Sequence, residues 1–182
     1  EKFGNNMLYI RKDSSDHFLY SAEIRSVSEN VSKPIRTLAV KIQAPNGTYT
    51  QKNVVVAIPN VRKPVPLFIV FRALGILSDK EIIEYCLLDR AKYSQLEELL
   101  IPSVYDSGNI FTQQQAFDYI RLLTKRGEMS YVMNILSDYF LPHIGEANFN
   151  EKAYFLGHIV LKLLLVYNGN EEATDRDNYK FK

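Results

Sequence analysis

Three histidines, one cysteine and one dense carboxylate cluster are the residues of this 182-residue chain whose types could do chemistry. His17, His143 and His158 could ligate zinc or act as general bases. No two of them stand three or four residues apart, and none pairs with Cys86 in a metal-ligand pattern. His158 lies in a long apolar stretch and reads as a core histidine. His143 follows Pro142 at a helix end, where a donor or cation serves the last carbonyls. Cys86 shares an apolar helix face with Ile82 and Ile83 and reads as a small core residue. Asp175-Arg176-Asp177 could suggest metal or acid–base work. An arginine between two aspartates forms a bidentate clamp more readily, one that would fix how a connector returns to a neighbouring domain. No Gly-x-Ser-x-Gly turn is present, and the eight glycines are scattered singly, so no phosphate-cradling loop is written in. No catalytic residue and no metal ligand is assigned.

The elements that would position these residues fall into two halves, which makes the class α+β: an N-terminal antiparallel sheet or hairpin half followed by a helical half. Strands are expected at Met7 to Ile10, Phe18 to Val27, Ile35 to Ile42 and Val54 to Ile58. In the second, Phe18, Tyr20, Ala22, Ile24 and Ser26 share a face at period two. Asn46-Gly47 between the last two is a hairpin signal. Pro59, Pro64 and Pro66 close the sheet, and Pro66 suits a first helical position. Capping boxes at Ser78/Glu81, Ser94/Glu97 and Thr112/Gln115 open three helices. Glu128 to Leu141 reads as an amphipathic helix ended by Pro142. The segment from about Glu151 to Tyr167 is apolar nearly all round, so it should be the central buried helix. Residues 170–182 are charged and read as a connector.

Hydrophobic residues make up 46% of the chain, enough for a packed core. The net charge of +1 hides an asymmetry: residues 1–66 hold ten Lys/Arg against five Asp/Glu, leaving twelve against sixteen in the remainder. A basic half can face phosphate and an acidic half a protein partner. A lone cysteine excludes an internal disulfide and fits a reducing compartment. The triplets Asn30-Val31-Ser32 and Asn46-Gly47-Thr48 carry little weight without a secretory leader, and Glu1-Lys2-Phe3-Gly4 shows none. The apolar run Ala153 to Tyr167 is interrupted and too short for a membrane span. The expectation is an intracellular protein without membrane contact.

Phe71-Arg72-Ala73-Leu74-Gly75-Ile76, followed by Ser78-Asp79-Lys80-Glu81-Ile82, resembles the signature of the lobe, domain 2, of the second-largest subunit of multisubunit DNA-directed RNA polymerases. Ala22-Glu23-Ile24-Arg25-Ser26, Thr37 to Lys41, Phe140 to His143, Lys152 to Gly157, Leu163-Leu164-Leu165 and Asp175-Arg176-Asp177 fall in the family's order. The resemblance covers residues 1–182 as one lobe domain from a longer chain, with 170–182 returning to the parent domain.

The resemblance implies a non-catalytic part of a nucleotidyltransferase, forming one wall of the cleft that holds downstream DNA in transcription. It implies as partners double-stranded DNA, the largest subunit, a small zinc-ribbon subunit, the rest of the same chain and initiation factors. No cofactor is expected in this domain; magnesium and zinc belong elsewhere in the parent enzyme. Phe71, Arg72, Ala73, Leu74 and Gly75 are expected to be structural, with Arg72 a buried clamp, as are Asp175, Arg176 and Asp177. Charge alone nominates Lys33, Arg36, Arg62 and Lys63 to face DNA. The tail Asn178-Tyr179-Lys180-Phe181-Lys182 departs from the cellular pattern and looks more like the enzymes of large cytoplasmic DNA viruses. That source would place the protein in host cytoplasm and virion, a cellular source in the nucleus. The alternatives are an interaction module of an unrelated intracellular complex, or a hydrolase whose triad assembles in space.

Overall fold

The computed structural model describes residues 8–13, 17–26, 36–45, 52–145 and 148–169. The Asn46-Gly47 turn, Lys33 and the Asp175-Arg176-Asp177 cluster lie outside the described residues, as do Met7, Val27 and Ile35 at the edges of expected strands.

Five strands form one antiparallel meander in chain order: β1 Leu8–Lys12, β2 Phe18–Ser26, β3 Arg36–Gln43, β4 Val54–Ala57 and β5 Val65–Pro66. The period-two reading of β2 holds in its second half. Ala22 pairs with Ile10 and Val40, Ile24 with Leu8 and Leu38, and all of these side chains are buried. A register shift between Phe18 and Tyr20 breaks the alternation at the start of β2, so Phe18 and Tyr20 are only half-buried. The opposite face is polar: Arg11 pairs with Glu23 at 2.9 Å, and Arg25 lies 5.6 Å from the Tyr9 ring centre. The prolines do not simply end the sheet, as the sequence suggested. Pro64 precedes and Pro66 ends a two-residue edge strand that pairs with β4, where a missing donor is tolerated. Pro66 is therefore the N-cap of the next helix and not its first residue.

The helical half comprises α1 Leu67–Ala73, α2 Asp79–Leu87, α3 Ser94–Asp106, α4 Gln113–Leu122, α5 Met129–Asn134 and α6 Phe149–Tyr167. Only the Thr112/Gln115 box is reciprocal, with Gln115 N–H on the Thr112 hydroxyl at 3.1 Å and Thr112 N–H on Gln115 Oε1 at 3.0 Å. At Ser78 the hydroxyl caps Glu81 N–H, but the Glu81 carboxylate accepts from that hydroxyl and leaves the N-cap backbone unserved. The Ser94 box does not form. Tyr93 is the N-cap of α3, and Glu97 instead accepts from Arg90 at 2.8 Å. α3 also runs through Pro102, whose missing N–H opens one rung of the helix. The next residue, buried Ser103, accepts the Val54 N–H at 2.9 Å and ties α3 to the sheet.

The helix expected to reach Leu141 stops short. α5 widens into a π-turn at Ile135–Tyr139, closed by the Phe140 N–H on the Ile135 carbonyl. Leu141 then adopts φ 47° ahead of a 3-10 turn, Pro142–Ile144.

α6 is the central helix, with twelve residues buried from Lys152 to Val166. It packs across β1, β2 and β3 on one side and α2 and α3 on the other. Each fully buried aliphatic or Phe side chain contributes about 1.5–3 kcal/mol. The tightest crossing is with α2, where Gly157 brings the backbones together. A Cβ there would stand 2.2 Å from the Tyr85 carbonyl oxygen. That neighbour is backbone, so only separation of the helices could make room.

Gly157→Ala is expected to destabilise the chain by about 1–3 kcal/mol. Urea unfolding measures it; a loss below about 0.5 kcal/mol would show that the crossing is not close-packed.

Candidate functional site

The recognisable segment Phe71 to Ile82 folds into one interlocked corner. α1 ends in a left-handed turn in which Ile76 N–H reaches the Phe71 carbonyl and Gly75 N–H the Arg72 carbonyl, both at 3.0 Å. Gly75 takes φ 100°, which a side chain would strain. The Ala73 carbonyl accepts from Gln113 Nε2 at 3.1 Å, so α4 closes the same turn. Leu74 caps the helix, and Phe71 meets the Tyr85 ring edge-on.

Arg72 is 2% exposed. Its Nε donates to the Leu77 carbonyl at 3.0 Å and Nη1 to the Ile110 carbonyl at 2.9 Å, while Nη2 pairs with Asp79. The Phe68 and Phe111 rings lie 5.8 and 5.6 Å from its Cζ. One side chain thus joins the end of α1, the start of α2 and the α3–α4 loop. This is the buried clamp expected from the sequence, and it leaves Arg72 no free donor face for nucleic acid.

The basic residues nominated for DNA do not form one patch among the described residues. Arg36, at the first position of β3, lies 4.0 Å from the Tyr139 ring centre. Arg62 donates to the Leu122 carbonyl at 2.8 Å and to the Leu123 carbonyl at 3.3 Å, capping the end of α4. Lys63 is exposed on a cleft of about 730 Å³ that also holds Phe18, Gln43, Pro64, Asp106 and Tyr119. Gln43 is the last residue of β3, so Arg36 starts the strand about 23 Å, at 3.3 Å per residue, from the residue that shares the cleft with Lys63. Burial pushes the Asp106 carboxyl up from its ordinary value.

Sequence reasoning missed Lys152, which is 0% exposed. Its ammonium donates to the Leu136 and Ser137 carbonyls at 2.7 and 2.9 Å. The π-turn frees those carbonyls from helical partners, and a cation at a helix C-terminus satisfies them. The only signal was a lysine beside Ala153 at the start of an apolar helix.

The histidines do not converge. His17 lines the large cleft. His143 meets the Ser26 hydroxyl through its ring Nδ1, and its backbone N–H donates to the same hydroxyl at 3.2 Å. Ser26 is 1% exposed, so this Ser–His contact is closed to a substrate and instead joins β2 to the turn after α5. His158 is half-buried on α6 against the Tyr154 ring; burial, then the Lys162 charge, push its pKa down. Burial pushes the Cys86 thiol up, so the thiolate is disfavoured. No group of three His, Cys, Asp or Glu residues able to hold a metal occurs among the described residues.

Arg72→Lys should cost stability nearly as much as Arg72→Ala, about 3 kcal/mol, because an ammonium cannot serve three separated acceptors; equal unfolding midpoints for Arg72→Lys and wild type would refute the clamp. His158 resists protonation when folded, whereas the unfolded imidazole takes a proton near 6.5. Stability held above that pH should therefore fall as pH drops below about 6.5, and His158→Gln should flatten the profile of Tm against pH.

Comparison with known proteins then places this corner in a lineage. The profile of the family RNA polymerase Rpb2, domain 2, matches residues 43–182. The chain is 36% identical to DNA-directed RNA polymerase II subunit 2 of Arabidopsis thaliana, over 98% of its own length and 16% of that protein. It is 38% identical to the RPB2 subunit of Encephalitozoon cuniculi over the same shares, and 28% identical to subunit Rpo2 of Saccharolobus shibatae over 98% and 15%. The chain thus spans about a sixth of the length of these curated relatives. It belongs to the RNA polymerase Rpb2 domain 2 family, the lobe of the second-largest subunit.

Proposed function

We propose that this lobe serves a DNA-directed RNA polymerase as one wall of the channel that guides the double helix during transcription, while nucleotide addition happens on other parts of the assembly. The observation that carries the reading is the near end-to-end match to polymerase second-largest subunits. The fold supports it physically. A wall must keep its shape under load, and the Arg72 clamp, the Gly157 crossing and the Lys152 cap each tie separate segments together. The partners would be double-stranded DNA, the largest subunit, the remainder of the same chain, a small zinc-ribbon subunit and initiation factors. Magnesium and zinc would be held elsewhere in that assembly. The site of action would be intracellular. The Asn178 to Lys182 tail supports an origin among large cytoplasmic DNA viruses, whereas the relatives named above are cellular.

Phosphate contacts would come from exposed basic side chains, be indifferent to sequence and weaken with salt. Lys63 is free to make one; Arg62 is occupied with α4. In the polymerase assembled with its native second-largest subunit, Lys63→Glu should weaken duplex binding equally across sequences and reduce the salt slope by about 1. Arg62→Ala should instead lower unfolding stability by about 1 kcal/mol with little change in that slope. An antibody against this chain should detect a product several times larger than 21.0 kDa that sediments with template-dependent nucleotide incorporation. A 21.0 kDa product away from that activity would sink the reading.

A further inference from the structure

Two acceptors without donors line one cleft beside the end of β3. Gln43, the last residue of that strand, pairs across to Phe18 at the start of β2. It is 8% exposed, and its Oε1 has no hydrogen-bond partner among the described residues. A buried acceptor without a donor costs free energy. Asp106, the last residue of α3, stands on the same cleft of about 730 Å³. Its carboxylate has no hydrogen bond and no ion pair among the described residues. Burial is the cause of its raised pKa, and no cation counters the rise.

Lys63 shares the cleft, yet its ammonium does not pair with that carboxylate. Two opposite charges therefore line one cleft and leave each other unserved. Phe18, Tyr119 and Pro64 supply flat apolar area between the polar groups. Clefts of this size and lining hold small molecules, which the polar groups orient.

The lining sets the chemistry of the ligand. Gln43 and Asp106 need a donor edge. Lys63 needs an anion away from that edge. The rings and the proline suit a planar body. A simple cation would satisfy the carboxylate and oppose Lys63, and a simple anion would do the reverse. His17 also lines the cleft, but it is engaged within the chain and adds no demand. A purine nucleotide has all three parts. Guanine carries a ring N–H beside an exocyclic amino group, and a carboxylate accepts from both together. Adenine turns a ring lone pair toward the same carboxylate and is repelled.

We infer that this cleft binds a guanine nucleotide. The Asp106 carboxylate accepts the ring N–H and one amino hydrogen, and the Gln43 amide oxygen accepts the other. The base lies against Phe18 and Tyr119, and the phosphate reaches Lys63. The inference goes beyond the proposed function and needs neither duplex DNA nor other subunits. A nucleotide free in solution and an unpaired guanine in a strand present the same groups.

Isothermal titration of the chain with nucleoside monophosphates tests it. Guanosine monophosphate should bind at least about tenfold more tightly than adenosine monophosphate, as a bidentate pair discriminates. Inosine monophosphate, which lacks the amino group, should lose about tenfold against the guanosine compound. Asp106→Asn should abolish the preference for guanine and create one for xanthosine monophosphate, whose oxo group accepts from the new amide. An unfolded variant could not show that exchange. Lys63→Gln should weaken guanosine monophosphate about tenfold and leave guanosine itself unchanged. Gln43→Met should weaken the nucleotide while holding or raising the Tm, because it removes an unserved acceptor. A tetranucleotide with one guanine separates the two sources. If it competes, the site takes a base within a strand; if it does not, the site takes free nucleotide, and either result keeps the cleft a guanine site. The inference is overturned if guanosine and adenosine monophosphates bind alike or if Asp106→Asn keeps the guanine preference. Absence of binding at about 1 mM guanosine monophosphate overturns it equally.

Discussion

A guanidinium removed from water forfeits hydration worth several kcal/mol, so a buried arginine persists only where carbonyls and carboxylates already converge. Arg72 meets that requirement with three acceptors from three segments. The dependence runs both ways. The Leu77 and Ile110 carbonyls belong to loops without ladder partners of their own, and an unpaired buried carbonyl is itself costly. The guanidinium therefore fixes the α1–α2 turn and the α3–α4 loop by the same bonds that make its own burial tolerable. Gln113 and Gly75 complete the corner, one by taking the Ala73 carbonyl and the other by admitting φ 100°. A lysine could take one acceptor of the three, which is why side-chain shape matters here as much as charge.

The second buried cation repeats the logic at the other end of the helical half. The π-turn after α5 spoils the regular ladder, and the Lys152 ammonium replaces the lost donors from across the interface with α6. That fixes α6 along its axis relative to α5. Gly157, five residues on, lets α6 approach α2 until the backbones touch. One helix is thus positioned by a polar contact near its start and by a steric contact one and a half turns later. The sheet then needs only an apolar face to lie against it, and alternating burial in β1, β2 and β3 provides that face.

The division into sheet half and helical half was legible because period-two and near-continuous apolar patterns survive in the residues themselves. The central role of α6 and the clamp at Arg72 were legible for the same reason: polarity placed against pattern. The Ser94 box was misread because Glu97 had a competing partner in Arg90, which only the fold brings near. The π-turn left no local trace, and the ammonium that serves its freed carbonyls stands sixteen residues away in sequence. Pro66 was misplaced by one position because a proline fits an edge strand and a helix start equally well. The nominated DNA-facing arginines show the limit of charge as a guide. Arg36 and Arg62 were countable in the sequence, but their engagement with Tyr139 and with α4 was not.

Positive φ in residues other than glycine sharpens this contrast. Among the described residues it occurs at Asn60, Leu88 and Leu141. Asn60 follows Pro59 in a turn, where a short amide tolerates the left-handed region. Leu141 is fully buried, so the apolar area that it removes from water offsets its backbone strain. Leu88 has neither excuse: its side chain is apolar, and its burial is too slight to compensate. A strained residue persists where the surrounding structure holds it, and here the surroundings hold it outward, beside an exposed tyrosine and two carboxylates. Stability within the chain accounts for Arg72, Lys152 and Gly157. It does not account for Leu88, whose strained backbone neither side-chain chemistry nor burial offsets.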